Sequence, residues 1–342
     1  MARIGTGLIG YGTAGAFFHA PLIAAEAGLA LRRVASSRRQ AIEADHPGVN
    51  VDADPAALIA ATDIELVVIA TPNQTHHPLA MQALAAGKHV VIDKPMALDP
   101  GQARELIDAA ADAKRMLSVF HNRRWDDDFL TVQDLLARDV LGQVNYLESH
   151  FDRYRPAIKP GWREGTGEGT GVLFDLGSHL ADQALHLFGM PEAVTADVLV
   201  QRPQAAAPDY FHIQLHYGRR RVVLHGTSLA ADHGARFMVH GERGSFTTRG
   251  LDGQEALLRA GQGPGNASWP PAARPGVLTS GDGTETVMPL HTGAYTRYYA
   301  GVARAIVDGV PPPVTGEEAL DVMRVIVAAQ ASSMAGRTMA LD

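Results

Sequence analysis

Through its first 120 residues the chain alternates short β-branched runs with helical patterns, and no other feature narrows the possible folds so far. Strands read near Ile4–Ile9, Leu31–Ala35, Leu66–Ala70, Val90–Ile92 and Leu117–Phe120. Their nearly unbroken apolar character suits strands buried on both faces, hence βαβ units around a parallel sheet. Between them Asp99–Ala113 reads as a helix: Pro100 fits a first turn, and Ala103, Leu106, Ile107 and Ala110 form one stripe.

Beyond about residue 121 longer alternating strands take over. In Tyr210–His216, Phe211, Ile213 and Leu215 point one way and the polar side chains the other. Similar runs fall at Asn145–Phe151, Val194–Val200, Arg221–His225 and Arg236–His240, which leaves one sheet face for helices and the other for solvent or a partner. Gly261–Gly276 reads as a surface excursion and Glu317–Met334 as a closing helix. A length of 342 residues accommodates two domains.

Composition removes several function classes. Thirty Lys plus Arg against 37 Asp plus Glu give a net charge of -7, so there is no general electrostatic footprint for nucleic acid or anionic lipid. Cysteine is absent, which excludes disulfides, thiolate metal sites and cysteine nucleophiles. The N-terminal residues lack the pattern of a secretory signal, and runs such as Leu66–Ala70 are far shorter than the roughly 18 residues of a membrane helix. A cytoplasmic protein with no membrane partner is expected.

G-x-G-x-x-G occurs twice, overlapping, as Gly5-Gly7-Gly10 and Gly10-Gly12-Gly15. In a chain with 35 glycines the pattern alone is weak, and context has to decide. The second match follows a strand ending at Ile9 and opens a helical stretch at Ala14–Ile23, where amides and the helix dipole can meet a pyrophosphate. Dinucleotide binding is therefore assigned to Gly10, Gly12, Thr13, Ala14 and Gly15. After the second strand the residues are Ser36, Ser37, Arg38 and Arg39, with no carboxylate for a ribose 2′-hydroxyl. Hydroxyls and guanidinium groups suit a 2′-phosphate, which favours NADP over NAD. The bland alternative is a solvated basic turn.

Ligands of an open α/β sheet bind beyond the carboxyl ends of its strands. Three more strands end there in Thr71-Pro72-Asn73 with His76, in Asp93-Lys94-Pro95, and in His121-Asn122-Arg123-Arg124. Each could be ordinary loop chemistry; the coincidence is more informative than any member. Further on, Asp175, His179 and Asp182 fall at i, i+4 and i+7, one face of a helix. Such a stripe serves a buried structural histidine, a catalytic base held by a carboxylate, or a metal site.

Together, Gly-Tyr-Gly-Thr-Ala-Gly at 10 to 15, Thr-Pro-Asn at 71 to 73 with His76, Asp-Lys-Pro at 93 to 95 and Asp-Leu-Gly-Ser-His at 175 to 179 resemble the glucose-fructose oxidoreductase, inositol dehydrogenase and MocA family (Gfo/Idh/MocA) along essentially the whole chain. Phe18–Leu22, Phe120–Asp126 and His150–Arg153 are similar to the bacterial subgroup that includes NADP-dependent scyllo-inositol dehydrogenases. The resemblance implies a Rossmann dinucleotide-binding domain, here residues 1–121. An α+β domain with a large open, mainly antiparallel sheet follows, here 122–342, for substrate binding and oligomerisation. The last helix, about 317–334, could pack back on the first domain.

The exposed sheet face would pair subunits into homo-oligomers, dimers or tetramers. The resemblance further implies that Lys94 and His179 flank the reacting carbon with Asp175 beside them, and that Asn73, His76, Asn122, Trp162 and Arg163 line the cofactor with Thr71, Pro72 and Asp93. Arg123 and Tyr295 would reach the substrate pocket with Lys94, Asp175 and His179. The usual family motif is Glu-Lys-Pro; this chain has Asp93. The expected reaction is hydride transfer between NADP and a secondary alcohol of a cyclic polyol or sugar, scyllo-inositol first, with no metal. Glucose-type or dihydrodiol dehydrogenases, and a cofactor-binding regulator without catalysis, are the rivals.

Overall fold

The computed structural model describes residues 3–158 and 161–341. The chain forms two compact units. The first runs to Asn122 and also takes in Gly253–Pro271 and Ala294–Leu320; the second takes Arg123–Asp252, Ala272–Gly293 and the chain from Asp321. A single cut at residue 121 does not describe the two later segments of the first unit, because local periodicity reports elements and not the core on which they pack.

The first unit holds a six-stranded parallel sheet of β1 (Ile4–Ile9), β2 (Leu29–Ala35), β3 (Asn50–Asp52), β4 (Leu66–Ile69), β5 (His89–Ile92) and β6 (Leu117–Val119). The order is β3-β2-β1-β4-β5-β6, the doubly wound Rossmann arrangement. Leu8, Val34, Val67, Val68, Val90 and Val91 are fully buried, as the unbroken apolar runs require. Each contributes on the order of 1.5–3 kcal/mol relative to exposure. β3 has only three residues and a polar sequence, and so lacks a periodic signal. The helix expected from Asp99 is present as Pro100–Ala113, and the Asp99 carboxylate caps it by accepting from Gln102 N at 3.0 Å.

Gly5 and Gly7, the first half of the rival glycine pattern, lie inside β1. A Cβ on Gly5 would sit 1.9 Å from the Asp63 carbonyl oxygen and one on Gly7 2.5 Å from Leu58 Cδ2. These glycines let the strand pack, and they have no loop to donate to a ligand.

The second unit is built on a nine-stranded sheet: β7 (Val144–His150), β8 (Ala193–Leu199), β9 (Tyr210–Tyr217), β10 (Arg220–Thr227), β11 (Ala235–Gly241), β12 (Gly244–Arg249), β13 (Pro275–Ser280), β14 (Glu285–Pro289) and β15 (Met339–Ala340). The order is β14-β13-β12-β11-β7-β10-β9-β8-β15. All neighbours are antiparallel except the central pair β7 and β10, which run parallel. Phe211, Ile213 and Leu215 join Leu147, Leu224 and Phe237 in one core with Leu180 and Ala184 of helix Ser178–Phe188. Helix Gly316–Ala335 adds Ile326 and Ala329 to that core, while its residues through Leu320 group with the first unit. The excursion expected over 261–276 ends in β13. Among the described residues no helix is long and apolar enough to cross a membrane.

Candidate functional site

In the first unit the chain leaves β1 through Gly10, whose φ of +97° and close approach to Ala70 exclude a side chain: a Cβ would stand 2.4 Å from the Ala70 carbonyl oxygen. Gly15 is equally confined, with a Cβ position 2.1 Å from Gly10 O, so the following helix starts tight against the turn. Gly12 differs. Nothing lies within 4 Å of its Cβ position. The loop is therefore closed at both ends by packing and open in the middle, the form that lets a pyrophosphate reach backbone amides at a helix N-terminus. Thr13 and Ala14 open that helix, which passes through a π turn at Gly15–His19.

This contrast gives a prediction. Gly10→Ala should lower the thermal midpoint clearly, whereas Gly12→Val should leave it near wild type and weaken dinucleotide binding by at least about tenfold, one lost 1.4 kcal/mol contact. Differential scanning calorimetry and a fluorescence titration with NADPH read the two effects.

Ser36, Ser37 and Arg38 follow β2. Ser36 Oγ accepts from Arg38 N at 3.2 Å, which turns the chain into helix Arg39–Asp45. Arg38 is exposed, and its guanidinium has no ion-pair partner among the described residues. Arg39 is held by Glu43 Oε1 (3.1 Å) and the Val51 carbonyl (2.7 Å). Asp52, whose carbonyl accepts from Ser36 N, has its carboxylate engaged by Arg33 at 3.2 Å. The carboxylates described there, Glu43, Asp45 and Asp52, each accept a hydrogen bond from a neighbouring side chain. Tyr11, which the sequence did not single out, is buried between the glycines and donates to Asp45 Oδ2 at 2.8 Å, tying the glycine loop to the helix after β2. An aromatic residue between two motif glycines was its available signal.

The loops after β4 and β5 are joined by His76, which is fully buried with Nδ1 2.8 Å from Pro95 O and Nε2 3.0 Å from Thr71 O. Burial pushes its imidazole below the usual histidine range. His76 thus braces the segments that present Thr71, Pro72 and Asn73 on one side and Lys94 on the other; Asn73 is itself buried. Asp93 accepts from Lys94 N at 2.9 Å through Oδ1, with His19 Nε2 3.8 Å away. Burial alone would raise the Asp93 carboxyl, but His19 and the Lys94 ammonium outweigh it and hold it at about 2. His19 is in turn 2.6 Å from Tyr299 OH. Lys94 itself is half-buried at the end of β5. Asn122 is buried at the end of the unit, and Tyr295 is fully buried with its amide donating to Gln254 Oε1 at 2.8 Å.

In the second unit Leu173–Gly177 is a π turn that runs into helix Ser178–Phe188. The wide turn breaks the uniform i, i+4, i+7 spacing, and the three members of the expected stripe have different surroundings. Asp175 is partly exposed, 3.8 Å from Arg153 Nη1 and 3.6 Å from Arg163 Nε. His179 is 8% exposed. Asp182 is buried in a bidentate pair with Arg124, 2.6 Å at the closest, which occupies its carboxylate. A helical wheel drawn on sequence could not foresee the guanidinium that claims it.

Asp175 lines a cavity with Arg153, Arg155, Arg163, Arg202 and Glu164. Arg202 is committed to Asp209 (2.7 Å) and Glu164 (2.9 Å), and Arg163 stacks on Trp162 at 4.7 Å. Arg123 is buried, paired with Asp126 at 3.3 Å and stacked on the Phe151 ring, which Arg153 also covers; each guanidinium is 4.7 Å from the centroid. Arg153 carries no sequence signal beyond its place in the His150–Arg153 motif, and the fold brings it to Asp175.

Residues 4–121 match the family model described as oxidoreductase family, NAD-binding Rossmann fold, and residues 133–341 match oxidoreductase family, C-terminal alpha/beta domain. The oxidoreductase YdgJ of Escherichia coli strain K12, uncharacterized, is 49% identical over 95% of this chain and 94% of its own. The scyllo-inositol 2-dehydrogenase (NADP(+)) IolW of Bacillus subtilis strain 168 is 41% identical over 99% of this chain and 96% of its own. The solved structure of yvaA from Bacillus subtilis superposes with a TM-score of 0.95 at 40% identity, covering 99% of both chains.

Proposed function

The chain belongs to the Gfo/Idh/MocA oxidoreductases, and from that premise we propose an NADP-dependent dehydrogenase that interconverts a secondary alcohol and ketone of a cyclic polyol or sugar, scyllo-inositol being the first candidate. The observation that carries the reading is the set of strand ends in the first unit: an amide cradle open over Gly12, an exposed Arg38 with no ion-pair partner among the described residues, and Lys94 anchored through Asp93. The likeness to IolW supports the substrate and the cofactor.

When bound, the nicotinamide supplies hydride chemistry. His179 takes the hydroxyl proton, Asp175 orients it, and Lys94 donates a hydrogen bond to the substrate oxygen as charge develops. Asn73, Asn122, Trp162 and Arg163 are cofactor-side residues in this reading, and Arg123 supports the substrate side through Phe151. The enzyme is read as cytoplasmic, as the lack of cysteine suits, and as a homo-oligomer through the open face of the large sheet.

A second substrate reading is favoured by the cavity at Asp175: Arg153 and Arg163 flank that carboxylate and Arg155 lines the same cavity, while Glu164 there is held by Arg202, an excess of guanidinium that suits a substrate carrying an acid group. A panel of scyllo-inositol, other neutral polyols, aldoses, aldonates and inositol phosphates, followed at NADPH absorbance with NAD in parallel, tests both. Faster turnover of the acids selects the second reading; turnover of none rejects the enzyme reading. Arg38→Ala should raise the KM for NADP about 10- to 100-fold, the loss of one charge-assisted interaction of about 1.5–3 kcal/mol, and leave the KM for NAD unchanged. Equal effects on both cofactors would remove Arg38 from the phosphate site.

A further inference from the structure

The face of the nine-stranded sheet turned away from the core carries a polar cluster at its centre. His150 on β7 lies opposite His225 on β10, and His225 lies opposite His212 on β9. Asp152 stands two residues beyond His150 and so returns to the same face. One Asp152 oxygen is 3.2 Å from His150 Nδ1 and the other is 2.8 Å from His225 Nδ1. Glu148, two residues before His150, places Oε2 2.8 Å from His150 Nε2.

From this arrangement we propose that Nδ1 of His150, Nδ1 of His225 and a carboxylate oxygen of Asp152 bind a divalent transition-metal ion of the zinc type, in a structural site that the redox chemistry does not use. The donor atoms all lie within 4.8 Å of one another. A tetrahedral ion with bonds of about 2.0–2.1 Å separates its ligands by roughly 3.3 Å, so small side-chain rotations bring these groups onto it. Two imidazoles with one carboxylate suit zinc better than calcium or magnesium, which take oxygen ligands. Glu148 supplies the outer carboxylate that a metal-bound imidazole uses: by accepting from Nε2–H it fixes the tautomer that leaves the Nδ1 lone pair for the ion.

β7 and β10 are hydrogen-bonded neighbours, which gives the site a rigid base. The three side chains are partly exposed in the single chain, which leaves room for a water as fourth ligand; they lie on the face through which copies would pair, so the ion would be held at that interface. Asp152 faces one nitrogen of each ring, and Glu148 faces the other nitrogen of His150. Binding uses the Nδ1 lone pair of each ring, so a proton held at either Nδ1 leaves to solvent or is replaced by one at Nε2.

The full-length protein, chelator-treated and desalted, is titrated with zinc chloride and separately with cobalt(II) chloride. The expected result is about one zinc per chain retained through a second desalting, and visible absorption of four-coordinate cobalt. His225→Gln and Asp152→Asn should each abolish both signals, and Glu148→Gln should weaken zinc binding about 10- to 100-fold. His233→Ala removes an exposed imidazole elsewhere and should change neither signal. Circular dichroism checks that each variant is folded, and His150→Asn replaces any ligand variant that is not. Wild-type protein that retains no zinc overturns the proposal. Retention that survives loss of these ligands overturns it equally, since the ion then sits elsewhere.

Discussion

Lys94→Ala should lower turnover by about two to four orders of magnitude while NADPH affinity stays within a few-fold of wild type. The split between the two readouts follows from where the residue is anchored. Its amide is fixed by Asp93, and His19, which stays in the variant, does most to keep that carboxylate ionised. The loop therefore keeps its shape when the side chain is cut back, and the glycine cradle after β1 is untouched. In the proposed mechanism what disappears is a donor that would strengthen its hydrogen bond as the substrate oxygen gains charge, an interaction worth more in the transition state than in the ground state. Lys94→Arg should not rescue, because a planar fork does not reproduce a compact ammonium. His179→Ala should show the same loss of turnover with the same retained affinity. Steady-state rates and NADPH fluorescence titrations decide, and a variant of either residue turning over within threefold of wild type removes it from the mechanism.

Asp182→Ala costs about 3–5 kcal/mol of stability. Arg124 and Asp182 have side chains 5% and 2% exposed and share a bidentate contact, so truncating the acid leaves a guanidinium buried without its charge partner. Removing both charges at once, in Arg124→Met with Asp182→Leu, should recover most of the loss, because the penalty comes from the orphaned charge more than from any net gain of the pair. Urea titrations on the single and double variants measure it. A proton-relay role would give the opposite pattern, with stability kept and turnover lost.

Much of this molecule could be read from its residues, and the unread parts share a cause. Unbroken apolar runs located β1, β2, β4, β5 and β6 because a strand buried on both faces needs them, while three-residue β3 had no room for a pattern. Alternation located β7 to β11, but gave no sign that β7 and β10 run parallel, since register is set by neighbours far along the chain. The site shows the same limit. The choice between two overlapping glycine patterns was legible because strand and helix signals flank only one. Whether Asp182 stood beside His179 or against Arg124 depended on a π turn and on a guanidinium 58 residues away. Roles that rest on a residue's own sequence neighbourhood were visible, and roles assigned by a distant partner were not.

The membership of the first unit has a bearing on biosynthesis. Ser118 of β6 is closed over by Tyr298 OH at 2.9 Å and by the Val314 carbonyl at 2.8 Å, and the neighbouring Phe120 packs edge-on against the Tyr298 ring. The sheet thus acquires one of its walls from residues translated 180 to 196 positions after its sixth strand. Until then the end of its sixth strand offers the apolar ring of Phe120 to the surrounding solvent and to chaperones.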